Sequence, residues 1–120
     1  MVAQVEWRGP VKVEAVIRQE RLDAVKKALE EAGFPAMTVY EVRGRGEQRG
    51  VQLEYRGHVV HVDLLPKVKL EIVVSGMEEA ERAVRVIMEA ARTGRPGDGR
   101  VFITPVLRVF KIRTGEEIPY

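Results

Sequence analysis

The sequence predicts an α+β domain with a ferredoxin-like βαββαβ fold, and three observations carry that prediction. Apolar residues alternate with period two along several short stretches, and two longer stretches repeat them at helical spacing. The order along the chain is strand, helix, strand, long loop, strand, helix, strand. That is the split βαβ arrangement, in which two amphipathic helices cover one face of an antiparallel sheet.

Val11, Val13, Ala15 and Ile17 alternate with Lys12, Glu14 and Arg18, the pattern of a strand with one buried face. Leu22, Val25, Leu29 and Ala32 then recur at helical spacing, and Gly33 and Pro35 end the run. Met37, Val39 and Val42, around β-branched Thr38, predict a second strand. Val60, Val62 and Leu64 alternate with His61 and Asp63, Pro66 punctuates, and Val68, Leu70, Ile72 and Val74 continue the pattern. Ala80, Val84, Ile87, Met88 and Ala91 form one stripe of a second helix. A last strand is predicted from about Val101 to Arg113, where Pro105 implies an edge position, a bulge or a break. Val16, Val73, Phe110 and Ile112 cannot all face the helices, so the second sheet face is expected to be partly apolar. Such a face wants a partner, and periodicity alone predicts some self-association.

At 120 residues, 45% hydrophobic and 32% charged, the chain is expected to form one globular domain. A net charge of +2, spread among nearly as many acids as bases, does not call for nucleic acid or a membrane. The absence of cysteine excludes disulfides, thiol chemistry and Cys-type zinc sites, and is compatible with a cytoplasmic protein. Residues 1–10 read as an N-terminal extension and 11–120 as the domain. Met1 to Pro10 hold Glu6, Trp7 and Arg8 and no apolar run, unlike a signal peptide. Trp7, the only tryptophan, reads equally as docked or as part of a loose tail. No stretch approaches the ~18–20 apolar residues of a membrane span.

Two segments carry the chemistry. In Thr93-Gly94-Arg95-Pro96-Gly97-Asp98-Gly99-Arg100, three glycines let backbone N–H groups turn inward, and two arginines add positive charge. Such a loop can cradle a polyphosphate, and spacing alone reads equally as a plain helix-to-strand turn. The second segment is Lys111-Ile112-Arg113-Thr114-Gly115-Glu116. Alone it is an ordinary basic strand end.

Taken together, the two segments resemble the nucleotide-binding loops of the PII signal-transduction family. Met37-Thr38-Val39, Glu41-Val42 and Asp63-Leu64-Leu65-Pro66-Lys67-Val68-Lys69 agree, so the resemblance runs from about Val11 to Glu116. It implies a homotrimer with ATP or ADP bound in clefts between subunits. Gly97, Asp98, Gly99 and Arg100 are then expected around the phosphates, with Lys111 and Arg113 reaching them from the neighbouring subunit along one face of the last strand. Thr38 is expected at the adenine, Val73 is expected to offer backbone groups, and Gly46 to admit the phosphates. Lys111 stands where arginine is more usual, keeping the charge and losing the planar fork.

The long segment from Gly44 to Val59 holds four glycines and is strongly polar. A loop of this length in a compact domain is usually functional or disordered. By resemblance it is the T-loop, between the second and third strands of the fold, which engages a target protein. Gln48 falls where the family holds Mg²⁺ and 2-oxoglutarate with MgATP, and Lys67 where a lysine pairs with the 2-oxoglutarate carboxylate. Glu47, grouped with the nucleotide residues, replaces an arginine of the common pattern and puts 2-oxoglutarate sensing in question. Gln19-Glu20-Arg21 replaces a Pro-Phe-Lys. Val60 stands where many bacterial relatives carry the uridylylated tyrosine, and His58 where some carry a phosphorylated serine. Neither side chain can take those modifications.

The implied targets are an ammonium or other membrane transporter, or a metabolic enzyme. No Ser/His/Asp set is present, and His58 and His61 lack further His or Cys neighbours for a metal, so no enzyme is expected. Two other readings stay open. One is a PII-like adenine-nucleotide sensor answering to a different small molecule. The other is an RNA-binding ferredoxin-like domain using Arg43-Gly44-Arg45-Gly46 and Arg49-Gly50 as a basic arm, although it lacks paired aromatics for base stacking and no nucleic acid is expected.

Overall fold

A computed structural model describes residues 6–45, 51–55, 57–62 and 64–120. Strands β1 (Val11–Arg18), β2 (Thr38–Gly44), β5 (Leu65–Val74) and β6 (Gly99–Pro105) form one antiparallel sheet in the order β2-β5-β1-β6. Helices α1 (Leu22–Glu31) and α2 (Met77–Ala91) carry the crossovers. This is the ferredoxin-like order expected from the periodicities.

The register explains why the alternation was so clear. Val13 lies opposite Ile72, Ala15 opposite Leu70 and Ile17 opposite Val68, so apolar side chains meet across the two central strands. A slip of one residue would turn the whole set into solvent. These residues, Val25 and Leu29 of α1, and Ala80, Ala83, Ile87 and Ala91 of α2 make the buried core. Alanines on α2 let that helix sit close to the sheet. Pro105 ends an edge strand, one of the arrangements its ring permits.

The opposite face is partly apolar, as expected: Val16, Val73, Phe102 and Tyr40 lie on it. They share it with an ion cluster in which Glu14 sits 2.8 Å from Lys12 and 3.0 Å from Lys69, and Lys12 also approaches Glu71 at 3.8 Å. The Lys12 and Lys69 ammonium groups hold the Glu14 carboxyl below its ordinary range. Phe110 and Ile112 belong to neither face, because the chain leaves the sheet after Pro105.

Two further expectations are corrected. The predicted last strand stops at Pro105 instead of reaching Arg113. Beyond it the chain folds back on itself: Phe110 bridges Glu117, Ile118 N–H donates to Val109 O at 2.8 Å, and Arg108 pairs with Glu117 at 3.0 Å. The segment read as a long loop running into the third strand contains its own two-stranded sheet, β3 (Val51–Tyr55) with β4 (His58–Val62). Val60 and Val62 pair with Leu53 and Val51 there rather than extending β5. Their alternation marked a strand correctly, but alternation does not name the partner strand.

Trp7 is docked. Its Nε1 donates to Pro10 O at 2.8 Å and its ring packs against the core. Gly9 makes the room, since a Cβ there would fall 2.8 Å from the indole.

Candidate functional site

The α2-to-β6 connection is shaped from within by one carboxylate. After Ala91 the backbone turns extended at Arg92, and Gly94, Gly97 and Gly99 all take positive φ. Asp98 gathers the turn: its Oδ2 accepts the N–H groups of Thr93 and Gly94, both at 2.9 Å, and its Oδ1 accepts the Thr93 hydroxyl. Arg18 Nε adds a fourth donor to Oδ1 at 3.0 Å. Two donors on each oxygen fill what an ionised carboxylate can accept. Thr93 Oγ1 in turn accepts the Arg95 N–H at 3.2 Å.

The hydrogen bonds from the Thr93 hydroxyl and N–H, with those from Arg18 and Gly94, hold the Asp98 carboxyl well below the usual aspartate range near 3.8. A carboxyl with a depressed folded-state pKa stabilises the fold fully above its unfolded value, and that contribution is lost as the pH falls through the folded one. The expected result is that Asp98→Asn lowers the melting temperature at neutral pH. Its deficit should persist down to about pH 4 and shrink in stronger acid. Melting curves of both proteins against pH check this; a deficit independent of pH into strong acid would contradict it.

Gly99 fixes the other end. It pairs with Ile17 at φ +106, and a Cβ placed there would lie 1.7 Å from the Val16 carbonyl oxygen. Only a residue without a side chain lets β6 lie against β1 at this point.

Two cations reach the loop from the sheet. Arg18, at the end of β1, also donates Nη2 to Pro96 O at 2.7 Å, and Lys67 of β5 donates Nζ to Gly97 O at 2.6 Å. Arg18 and Lys67 face each other in the β1–β5 register, at the sheet end from which β2 leaves at Gly44 opposite Leu65. Partial burial, then the Arg18 charge, lower the Lys67 pKa.

The other sequence-selected residues lie elsewhere in the chain. Thr38 is on β2, the edge opposite β6, so three strand spacings, roughly 14 Å, separate it from the glycine loop. Val73 is near the far end of β5, opposite Lys12. Arg100 is exposed at the start of β6, opposite Val16. Lys111 and Arg113 do not share a strand face. They occupy a turn in which the Gly115 N–H donates to Lys111 O at 2.8 Å, beyond the opposite end of β6 and roughly 20 Å of strand away from Gly99. The strand expected there fails because residues 106–118 bond to one another and to Pro10 instead of to β1.

A family profile described as "Nitrogen regulatory protein P-II" matches residues 11–116. The chain belongs to that family. A P-II protein of Methanothermobacter thermautotrophicus, "Nitrogen regulatory protein P-II 1", is 55% identical over 105 residues, covering 88% of this chain and 90% of its own. The "Nitrogen regulatory protein P-II" of Pasteurella multocida is 50% identical over 106 residues, covering 88% and 94%. Among solved structures, Arabidopsis thaliana PII bound to citrate is similar at a TM-score of 0.72 and 38% identity, over 91% of this chain and 88% of that one. Membership makes the chain a signal-transduction regulator in kind.

Of the residues the P-II pattern selects, Gly46, Glu47 and Gln48 lie outside the described residues. Gly97, Asp98, Gly99, Arg100 and Lys67 come together, while Thr38, Val73, Lys111 and Arg113 do not join them within one chain. Sequence reasoning missed Arg18. As the polar end of an alternating strand it looked like an ordinary solvent-facing residue, and nothing local marks a partner 80 residues away. Among the described residues no three His, Cys, Asp or Glu side chains gather as a metal site, and no helix is long and apolar enough to cross a membrane.

Proposed function

We propose that this P-II protein senses adenine nucleotides, binding ATP or ADP in clefts between the subunits of a homotrimer. The observation that carries the reading is the glycine loop Gly94–Arg100, built at the same sheet end as Lys67 and Arg18. The Thr93, Gly94 and Arg95 N–H groups are used inside the turn, so the setting suited to a polyphosphate is the remainder of the loop, where Gly97 and Gly99 take positive φ beside the charges of Arg95 and Arg100. The separation of Thr38 from that loop supports a site between subunits, since the two sheet edges of one chain cannot close on one nucleotide. Lys111 and Arg113 then serve a neighbouring copy.

Asp98 works here by shaping the loop. Its oxygens are filled by four donors, so it is not available to ligate magnesium. A magnesium ion accompanying ATP falls instead to Gln48, whose amide oxygen suits a hard cation, together with the phosphate oxygens. Lys67 supplies the ammonium for the carboxylate of 2-oxoglutarate, and binding that anion requires it to exchange Gly97 O for the ligand. The citrate bound to the similar Arabidopsis protein is in keeping with carboxylate recognition. Ligand state biases the conformation of the 44–59 segment, through which the protein acts on a transporter or a nitrogen-metabolism enzyme, without uridylylation and without catalysis. Action within the cytoplasm follows from that role.

Calorimetric titration tests this directly. ATP is expected to bind, and 2-oxoglutarate to bind only the MgATP complex; no binding of ATP or ADP would refute the site. Arg113→Ala removes a charge-assisted contact and is expected to weaken ATP binding ten- to a hundredfold while the trimer persists. Unchanged affinity in that variant would remove Arg113 from the site.

A second reading, a nucleotide sensor answering to a different small molecule, has one observation in its favour. Between α2 and β6 a groove of about 420 Å³ is lined by Ile17, Val84, Ile87 and Met88, with Arg92 and Arg100 among its polar walls. Binding of ATP without 2-oxoglutarate would favour it. An RNA-binding reading is opposed by the sheet face itself, where Glu14 and Glu71 stand among the lysines and would repel phosphates.

A further inference from the structure

We propose that Arg18 is the positioning residue of the 93–99 loop, setting the nucleotide affinity of this site through Asp98 and Pro96 without touching the nucleotide. This rests on the nucleotide-binding reading above and goes beyond it, because it assigns a role to a residue outside the glycine loop.

The physical case begins with cost. A loop with positive-φ glycines at three positions has many conformations open to it, and holding one of them loses entropy. A loop that is already fixed when the anion arrives does not pay that loss on binding. Asp98 ties the loop to itself, but those bonds alone leave it unanchored to the sheet. Arg18 supplies the anchor. Its side chain is only 14% exposed, and its fork spans two different acceptors, the carboxylate through Nε and the Pro96 carbonyl through Nη2. Lys67 makes a second tie, from the neighbouring strand to Gly97 O.

Two features make Arg18 the determining tie. It holds both the hub carboxylate and a loop carbonyl, so its removal loosens the turn at two places. Its planar, divergent donors also match that pair of acceptors, whereas a lysine offers one point of attachment. Lys67 is expected to be drawn away whenever a carboxylate ligand arrives, while Arg18, engaged with Asp98 and Pro96 O, is expected to keep its hold. The loop therefore keeps its shape during ligand exchange only if Arg18 holds it.

The experiment uses the full chain with Arg18→Gln and Arg18→Lys. ATP affinity is measured by calorimetry, and in the ligand-free protein the exchange rates of the Thr93 and Gly94 amide protons are followed by NMR. Both variants are expected to weaken ATP binding by about tenfold or more, and both to speed exchange at those two amides. Arg18→Lys matching the unmodified protein would show that only charge matters and would overturn the proposal. Unchanged amide exchange in Arg18→Gln would overturn it as well. If the unmodified protein binds no ATP, the proposed function falls and this role with it. If it binds ATP and Arg18→Gln binds equally well, this inference falls alone. Should Arg18→Gln fail to fold, Asp98→Asn cuts the same tie from the loop side and must weaken ATP binding comparably.

Discussion

Gly99→Ala is expected to destabilise this protein by more than about 4 kcal/mol and to lower its melting temperature by more than roughly 10 °C. The reason is spatial before it is conformational. A Cβ at this position would lie 1.7 Å from the Val16 carbonyl oxygen, a backbone atom at the end of the β1–β6 ladder where Gly99 pairs with Ile17. Backbone cannot swing aside as a long side chain can, so the strand itself must move. The φ of +106 adds strain that only glycine avoids. Gly94→Ala is the informative control. Gly94 also has a positive φ, of +86, but its Cβ would meet nothing within 4 Å. That variant should lose only about 1–2 kcal/mol of conformational strain. Melting curves of the two proteins check the contrast. Equal losses would mean that φ alone, and not the closeness of β6 to β1, makes Gly99 necessary.

Removal of residues 48–55 is expected to leave the fold standing and abolish regulation of the target. The deletion takes out β3 and strands β4, which pair with each other in a sheet separate from the four-stranded one. The core cluster draws instead on β1, β5, α1, α2 and Phe34, all outside the cut. The melting temperature should therefore change by no more than a few degrees, roughly the effect of 1 kcal/mol in a domain of this size. ADP affinity should stay within about threefold, a change of less than 1 kcal/mol. Calorimetry and a thermal scan measure both. Loss of a cooperative melting transition would show that the hairpin belongs to the folding unit, and retained regulation of a target would show that recognition lies elsewhere.

These outcomes bear on what P-II membership means for this particular chain. The resemblance read from the sequence implies that Val60 and His58 fall at the positions of the usual covalent modifications, and neither residue offers the required hydroxyl. On the function proposed above, a regulator without them responds through ligand occupancy. Affinity is then the whole of its sensitivity, which is why the stiffness of the 93–99 loop matters. On that proposal, a tie such as Arg18 to Asp98 sets the concentration range in which the sensor works.

Much of this was open to reading in the linear chain because the decisive patterns are local. Val11, Val13, Ala15 and Ile17, with Val68, Leu70, Ile72 and Val74, announced two half-buried strands, and both run through the centre of the sheet. The helical stripe of α1 buries Val25 and Leu29; that of α2 buries Ala80, Ile87 and Ala91, while Met88 is exposed and Ala83 takes a buried place the stripe did not include. Gly94, Gly97 and Gly99 marked a turn that needs positive φ, and all three adopt it. Periodicity and glycine placement report on a residue's own backbone and its near neighbours, and a sequence carries that information directly.

The remainder was settled by contacts between residues far apart in the chain. Val60 and Val62 could have extended β5, and it was pairing with Val51 and Leu53 that placed them in a hairpin. Lys111 and Arg113 could have continued β6, but the bonds of residues 106–118 to one another and to Pro10 turned them into a loop. Arg18 looked like any charged strand end until the fold carried Asp98 to it. A sequence fixes what each residue can donate, accept or bury; which partner it meets depends on chain closure over dozens of residues, and only the tertiary structure decides that.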